Sequence, residues 1–249
     1  MDWYAEQFMG EHPDRLTPAR AFTAKEPRLR TDADDDEHRA KIERARLIWR
    51  HATPMEGTPA AGYLATRLGA DLPGDLLAHP DLRFHPAPFY GGESTFLGDA
   101  VGGLVALMRD PLTGEPTGLH RTFISVGLHR LEKRMLGRKG MVMLSPFDSV
   151  SHGLSVCEGI ETGVAIMHRL GFAPVWCALS AGGVGTFPVL PGVDALTVFA
   201  DNDLPDKNGR RAGQMAADRC AQRWREAGRE MRVATPMTPD SDFADEVAQ

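Results

Sequence analysis

Leu196-Thr197-Val198-Phe199-Ala200-Asp201-Asn202-Asp203 reads as a short apolar, β-branched strand that ends on two carboxylates. A second run of the same kind, Leu154-Ser155-Val156-Cys157-Glu158-Gly159, ends on a third. Around them strand and helix patterns alternate. Leu154–Glu158 reads as a strand and Glu161–Leu170 as a helix stopped by Gly171. Pro174–Leu179 is a second strand, followed by the glycine-rich Ser180–Gly185, and Ala195–Asp201 is a third. Arg211–Ala227 then reads as a long helix ended by Gly228, and Met231–Thr235 as a fourth strand. Strands and helices at this spacing predict a parallel sheet with right-handed crossovers. Ligands bind such sheets in the crevice beyond the carboxyl ends of the strands, where Glu158, Asp201 and Asp203 would converge. Three carboxylates there form a hard, oxygen-rich set suited to Mg²⁺ or Mn²⁺. Asp201 and Asp203 also repel each other unless a cation or a basic partner offsets them.

The preceding residues have a different rhythm. Val101–Arg109 and Thr117–Ser125 read as strands flanking the turn-rich Asp110–Glu115, an antiparallel hairpin with more β structure around Arg134–Leu144. The second strand would place Leu119, Arg121 and Phe123 on one face and His120, Thr122 and Ile124 on the other. From Arg121 to Lys139, six Lys/Arg stand against one Glu, a local excess that suits a phosphate-binding strip. Upstream, Glu37–His51 has helical spacing through Ile42, Ala45, Ile48 and Trp49. Thr58-Pro59 reads as a helix start, with Tyr63, Leu64 and Leu68 on the inner face and Gly69 as the stop. Residues 1–38 read as a polar, loosely ordered arm, with a short helix at Trp3–Met9 and a solvated linker at the acidic run Asp32–Glu37. The expected organisation is that arm, an α+β unit over 39–150, and an α/β unit over 151–249 with a four-stranded parallel sheet. The boundary falls near 148–152.

Composition excludes several classes. At 42% hydrophobic and 25% charged, the 249 residues can bury a substantial core. No apolar stretch is long enough to span a bilayer, and the N-terminus lacks a signal-peptide layout, so a cytoplasmic protein with no membrane partner is expected. The three cysteines (Cys157, Cys177, Cys220) never form C-x-x-C, which argues against a disulfide framework and against zinc. A net charge of −6 argues against a simple basic coat for nucleic acid. Ala178-Leu179-Ser180-Ala181-Gly182 lacks the first glycine of a hydrolase nucleophile elbow, and Gly182–Gly185 lacks dinucleotide-binding spacing. None of the nine histidines falls in a metal-binding spacing.

Glu158-Gly159 followed by Asp201-x-Asp203 in this β-α-β frame resembles the Toprim domain of bacterial-type primases, topoisomerases and some nucleases. The likeness covers roughly residues 150–248. It extends to Ser180-Ala181-Gly182-Gly183 and to Asp240-Ser241-Asp242-Phe243-Ala244-Asp245, similar to the closing acidic cluster of Toprim primases carried by phages and conjugative plasmids. Gly57–Ala60, Tyr63-Leu64, Gly118–Thr122 and Lys133–Lys139 resemble the segment that precedes Toprim in those proteins. Three departures stand out. Glu161 replaces the aspartate of E-G-x-x-D, Leu204–Asn208 lengthen the loop before Gly209, and neither a zinc module nor a G-x-x-x-x-G-K-[ST] loop occurs in this sequence.

The resemblance implies a Mg²⁺-dependent nucleotidyltransferase of the DNA primase type, making short oligoribonucleotides from NTPs on single-stranded DNA for a mobile element. A separately encoded helicase or zinc-module protein would be a partner. Asp201 and Asp203 would hold the metal, with Glu158 as a further ligand or the acid/base for the 3′-hydroxyl proton. Glu161, Asp242 and Asp245 are additional acidic candidates. Arg121, Lys133, Arg134 and Lys139 would neutralise triphosphate or template charge. The alternatives are a Toprim nuclease using the same carboxylates and a non-catalytic binding module. A topoisomerase fits less well, because Tyr4, Tyr63 and Tyr90 all lie N-terminal to the acidic site.

Overall fold

The structure, a computed structural model, describes residues 32–248; the helix expected at Trp3–Met9 lies outside them. Helix α1 (Asp32–His51) begins within the acidic run expected to be a linker. Glu37 is there ion-paired to Lys41 at 2.7 Å, an i,i+4 contact that favours helix over coil. Helix α2 (Pro59–Leu68) starts on proline and stops at Gly69, whose left-handed φ of 59° glycine adopts without strain. A one-turn helix α3 (Gly74–Leu77) leads into strand β1 (Leu82–His85), and a second short helix, α4 (Glu93–Phe96), precedes β2 (Ala100–Arg109). Strands β3 (Pro116–Ser125) and β4 (Arg130–Gly137) complete an antiparallel sheet of order β1-β2-β3-β4. The expected hairpin is the centre of this sheet.

The second sheet has the order β5-β7-β6-β8-β9. Its elements are β5 (Val142–Met143), β6 (Gly153–Cys157), helix α5 (Ile160–His168), β7 (Val175–Cys177), helix α6 (Ala181–Gly185), β8 (Ala195–Phe199), helix α7 (Ala212–Glu226), β9 (Glu230–Ala234) and helix α8 (Phe243–Val247). Strands β7, β6, β8 and β9 pair in parallel, as expected. Strand β5 adds an antiparallel edge through Val142↔Cys177 and Met143↔Trp176. Ser145 continues this attachment, since its backbone N–H bonds Val175 O at 3.1 Å and its carbonyl accepts from Trp176 Nε1 at 3.0 Å. The C-terminal sheet therefore recruits residues ahead of the boundary expected at 148–152.

Helix α7 shows why the C-terminal half folds as it does. Gly213, Ala216, Ala217, Cys220, Ala221 and Trp224 are buried at spacings of three and four, and the arginines occupy the other face. Small residues on its buried face let it lie close to α6 and to the segment after β8, and Trp224 stacks on Phe187 with centroids 5.9 Å apart. A second core joins the two sheets: Tyr63, Leu64 and Leu68 of α2 pack with Leu104 and Ile124, with Ile160 and Val164 of α5, and with Phe199 and Phe243. Removing this much apolar surface from water, at about 25 cal/mol per Å², is what seats the first sheet on the second. Cys157, Cys177 and Cys220 are buried thiols. Among the described residues no helix is long and apolar enough to cross a membrane.

Candidate active site

Strands β6 and β8 are neighbours, with Cys157 opposite Phe199, so the residues that follow each emerge side by side. Glu158 follows β6 directly and Asp201 follows β8 after one residue. Backbone geometry holds them there. Leu179, with a left-handed φ of 65°, donates its N–H to Glu158 O at 2.8 Å. Such a conformation in a non-glycine residue stores strain that the surrounding structure must hold. It also ends β7 short of the expected Leu179. Gln214 Nε2 donates to Asp201 O at 2.8 Å, and the Gly213 N–H donates to Asp203 Oδ2 at 3.0 Å, so the first turn of α7 grips both aspartates.

Electrostatics mark the cluster as short of positive charge. Burial, then the nearby Glu158, Asp242 and Asp203 charges, raise the Asp201 carboxyl to about 7. Burial and Asp203 push Glu158 up as well. Neither these two nor Asp203 has an ion-pair partner within 4 Å among the described residues. Asp201 Oδ1 is buried without a hydrogen-bond partner. A buried, unpaired carboxylate is unfavourable unless a cation meets it, so the donor set fits a hard divalent metal such as Mg²⁺. The side chains are adjacent rather than closed into a cage. Among the described residues, no group of three His, Cys, Asp or Glu is already arranged to hold a metal ion.

A stability consequence follows. Asp201 has an ordinary pKa near 3.8 in the unfolded chain and about 7 in the fold. Between those values the unfolded chain releases a proton that the folded protein keeps, so stability falls as pH rises from about 4 to about 7. In a chelating buffer, Asp201→Asn is expected to raise Tm at pH 8 and to leave it nearly unchanged at pH 4. A thermal melt at both pH values checks this, and equal shifts would remove the electrostatic account.

The additional acidic candidates are already paired with bases. Glu161 is almost completely buried, with Oε2 accepting from Lys133 Nζ at 2.9 Å and Oε1 from the Tyr63 hydroxyl. Burial opposes its charge, but the Lys133 ammonium and these hydrogen bonds outweigh it and hold the carboxyl at about 2. Asp242 and Asp245 form a capping box on α8 and share Arg67, at 2.9 and 2.5 Å. Burial nonetheless raises Asp242. At Asp245 burial is outweighed by Arg67 and by backbone N–H donation, and the carboxyl is lowered. Tyr63 and Arg67, four residues apart on one face of α2, thus bind acids of the C-terminal half. Neither was singled out for this role from the sequence, because their partners lie 98 and more residues away.

The basic candidates divide. The expected alternation along β3 holds, but Arg121 is buried rather than presented. Its guanidinium pairs with Glu93 at 2.5 and 3.1 Å and bonds Pro88 O at 2.8 Å. Its remaining donors, the unpartnered Nε among them, are buried out of reach of a phosphate, which corrects the expectation. His120 on the opposite face is buried, and burial with the neighbouring Lys133 charge depresses it to about 4, so it packs as a neutral ring. Lys133 is part-exposed beside Glu158. Arg134 stacks over exposed Phe96 at 5.2 Å and lies 3.6 Å from Glu132. Lys139 and Arg130 are exposed. The lengthened loop after Asp203 is braced by Asp206, which accepts the N–H groups of Asn208 and Arg210 at 2.7 and 2.9 Å. It forms one wall of a cleft of about 590 Å³ lined by Asp203, Arg210 and Arg219. Ser180, set aside above as a nucleophile, caps α6 by accepting from Gly183 N at 3.0 Å.

Each half of the chain matches a known family. Residues 153–249 match the family described as "Toprim domain", which bears out the expectation for the C-terminal unit. Residues 39–144 match "Domain of unknown function (DUF7146)". No curated protein matches the chain. Among solved structures, the primase fragment of the bacteriophage T7 primase-helicase protein is similar at 13% identity and a TM-score of 0.43. That likeness covers 74% of this chain and 63% of that fragment. A chain in the structure of bacteriophage T7 lagging-strand DNA polymerase interacting with primase domains bound to an RNA/DNA hybrid and dTTP is similar at 17% identity and a TM-score of 0.35. There the likeness covers 57% of this chain and 69% of that chain.

Proposed function

With residues 153–249 forming a Toprim domain, we propose that this protein is a Mg²⁺-dependent nucleotidyltransferase of the DNA primase type. It joins NTPs on single-stranded DNA and works beside a separately encoded helicase or zinc-module protein. One observation carries the reading: among the described residues Glu158, Asp201 and Asp203 lack basic partners within 4 Å, while Glu161, Asp242 and Asp245 are each paired with a base. A bound divalent cation, held by Asp201 and Asp203 with Glu158 beside them, would supply Lewis-acid stabilisation of charge on phosphoryl oxygens. Glu158, whose carboxyl is raised by burial and by the Asp203 charge, is the group to take the proton of an attacking hydroxyl. Lys133, Arg130 and Lys139 would meet template or triphosphate charge. The likeness to phage and plasmid Toprim primases supports a mobile-element setting.

The test is incubation with single-stranded DNA, labelled NTPs and Mg²⁺ or Mn²⁺, following both oligonucleotide synthesis and substrate cleavage. Synthesis that disappears in Asp201→Ala supports the primase. Cleavage that disappears in the same variant replaces it with the nuclease. Binding without either reaction leaves a non-catalytic module.

Gly213 offers a finer probe. A Cβ there would stand 3.0 Å from Asp203 Oδ2 and 3.2 Å from Asp201 O, so Gly213→Ala must displace the aspartates or α7 by a few tenths of an ångström. Synthesis is expected to fall by about tenfold, since small displacements of reacting groups are costly to rate. Steady-state kinetics beside a thermal melt separates this from unfolding; an unchanged kcat would show that α7 does not set the aspartates.

A further inference from the structure

Lys133, Glu161 and Tyr63 come from three elements, β4, α5 and α2, yet form one chain of contacts. Each carboxylate oxygen of Glu161 is used once, Oε1 by the Tyr63 hydroxyl and Oε2 by the Lys133 ammonium. The Glu161 side chain is 3% exposed and the Lys133 side chain 30%, so the pair is inside at the acid and open at the base. An ammonium has three donors. Lys133 Nζ spends one on Glu161, and it lies 3.8 Å from the point where a Cβ on Gly159 would stand. Gly159 directly follows Glu158, so the ammonium sits at the rim of the carboxylate cluster. Its field reaches Glu158 and Asp201, favouring the charged form of both.

Charge counting shows why a holder matters. A lysine on a flexible four-carbon stem beside three unpaired carboxylates would collapse onto them and compete with a metal for the same oxygens. Glu161 supplies a better-placed partner, with Tyr63 fixing its orientation. We propose that Tyr63 and Glu161 are positioning residues that hold the Lys133 ammonium at the rim of the Glu158/Asp201/Asp203 cluster, where it receives a phosphate of the incoming nucleotide. The inference rests on the nucleotidyltransferase reading. Because Tyr63 belongs to the N-terminal unit and Glu161 to the Toprim domain, the phosphate contact is complete only while the two are docked. Gly159 is part of the device, since any side chain there would meet Glu161 Oε2 at 3.2 Å.

The test uses the full chain and two readouts, calorimetric binding of inorganic tripolyphosphate with Mg²⁺ and steady-state synthesis on single-stranded DNA. Tyr63→Phe keeps the packed ring and removes only the hydroxyl; Glu161→Gln keeps shape and removes charge. Each is expected to weaken tripolyphosphate binding and to raise KM for nucleotide about tenfold or more, the scale of one charged hydrogen bond, with kcat nearly constant. In a Lys133→Met background neither should add a further effect, and Lys133→Arg should restore part of the binding. The proposal fails if Tyr63→Phe and Glu161→Gln lower only Tm, or if their effects add to Lys133→Met. Should wild type bind tripolyphosphate through Lys133 yet make no oligonucleotide, the positioning role stands and the polymerising activity falls.

Discussion

Asp201→Asn and Asp203→Asn are each expected to lower oligonucleotide synthesis by about a thousandfold while leaving the fold intact. Stabilisation of transition-state charge by a metal amounts to several kcal/mol, and each 1.36 kcal/mol is tenfold in rate. The substitutions are close to isosteric and spare the local structure. Asp201 Oδ1 has no hydrogen-bond partner to lose, and an asparagine oxygen at 203 can still accept from Gly213 N. Rate loss with an unchanged circular-dichroism spectrum is the signature sought. Glu158→Gln should behave likewise if Glu158 is a ligand. If it serves instead as a base, its variant should recover partly as pH rises and hydroxide replaces it. Synthesis within threefold of wild type for Asp201→Asn would remove the carboxylate cluster from the chemistry.

How much of this could be read in advance differs between the two halves. The β-α-β order was legible because β6 and β8 are short apolar runs closed by carboxylates, and α7 repeats its buried residues at three and four. Val142 and Met143 fall within the β structure expected around Arg134–Leu144, but their place in the second sheet was not legible, since only pairing with β7 puts them there. At the site, spacing placed Glu158, Asp201 and Asp203 at the ends of strands of one parallel sheet; that β6 and β8 adjoin is what the structure adds. What spacing could not do was sort the remaining charges. Glu161 and Asp242 look like further ligands until Tyr63 and Arg67, distant in sequence, are seen to hold them. Arg121 is the converse case. Period two along β3 assigned its face correctly, but nothing local revealed that residues 88–93 cover that face.

That burial makes the Arg121–Glu93 pair the site of the largest stability effect. The Arg121 side chain is 1% exposed and that of Glu93 10%, and the two make a bidentate contact. Glu93 Oε2 also accepts from Tyr90 N at 2.8 Å, so the pair ties the loop before α4 to the centre of the N-terminal sheet. Desolvating two charges is costly, and their attraction in the interior roughly repays it. Removing one partner leaves the cost without the return, a loss of about 3–5 kcal/mol. Glu93→Gln and Arg121→Met are therefore each expected to lower Tm by roughly 10 °C. The double variant Arg121→Met/Glu93→Leu, which buries no charge, should regain more than half of that loss. A phosphate contact predicts otherwise: Arg121→Met would weaken DNA binding, flatten its salt dependence by about one counterion, and leave Tm nearly intact. The geometry favours the first outcome. With both guanidinium nitrogens that bond Glu93 turned inward, affinity per folded molecule and its salt slope should match wild type below the melting transition, and the residual basic edge at Arg130, Lys133 and Lys139 should carry the whole electrostatic term.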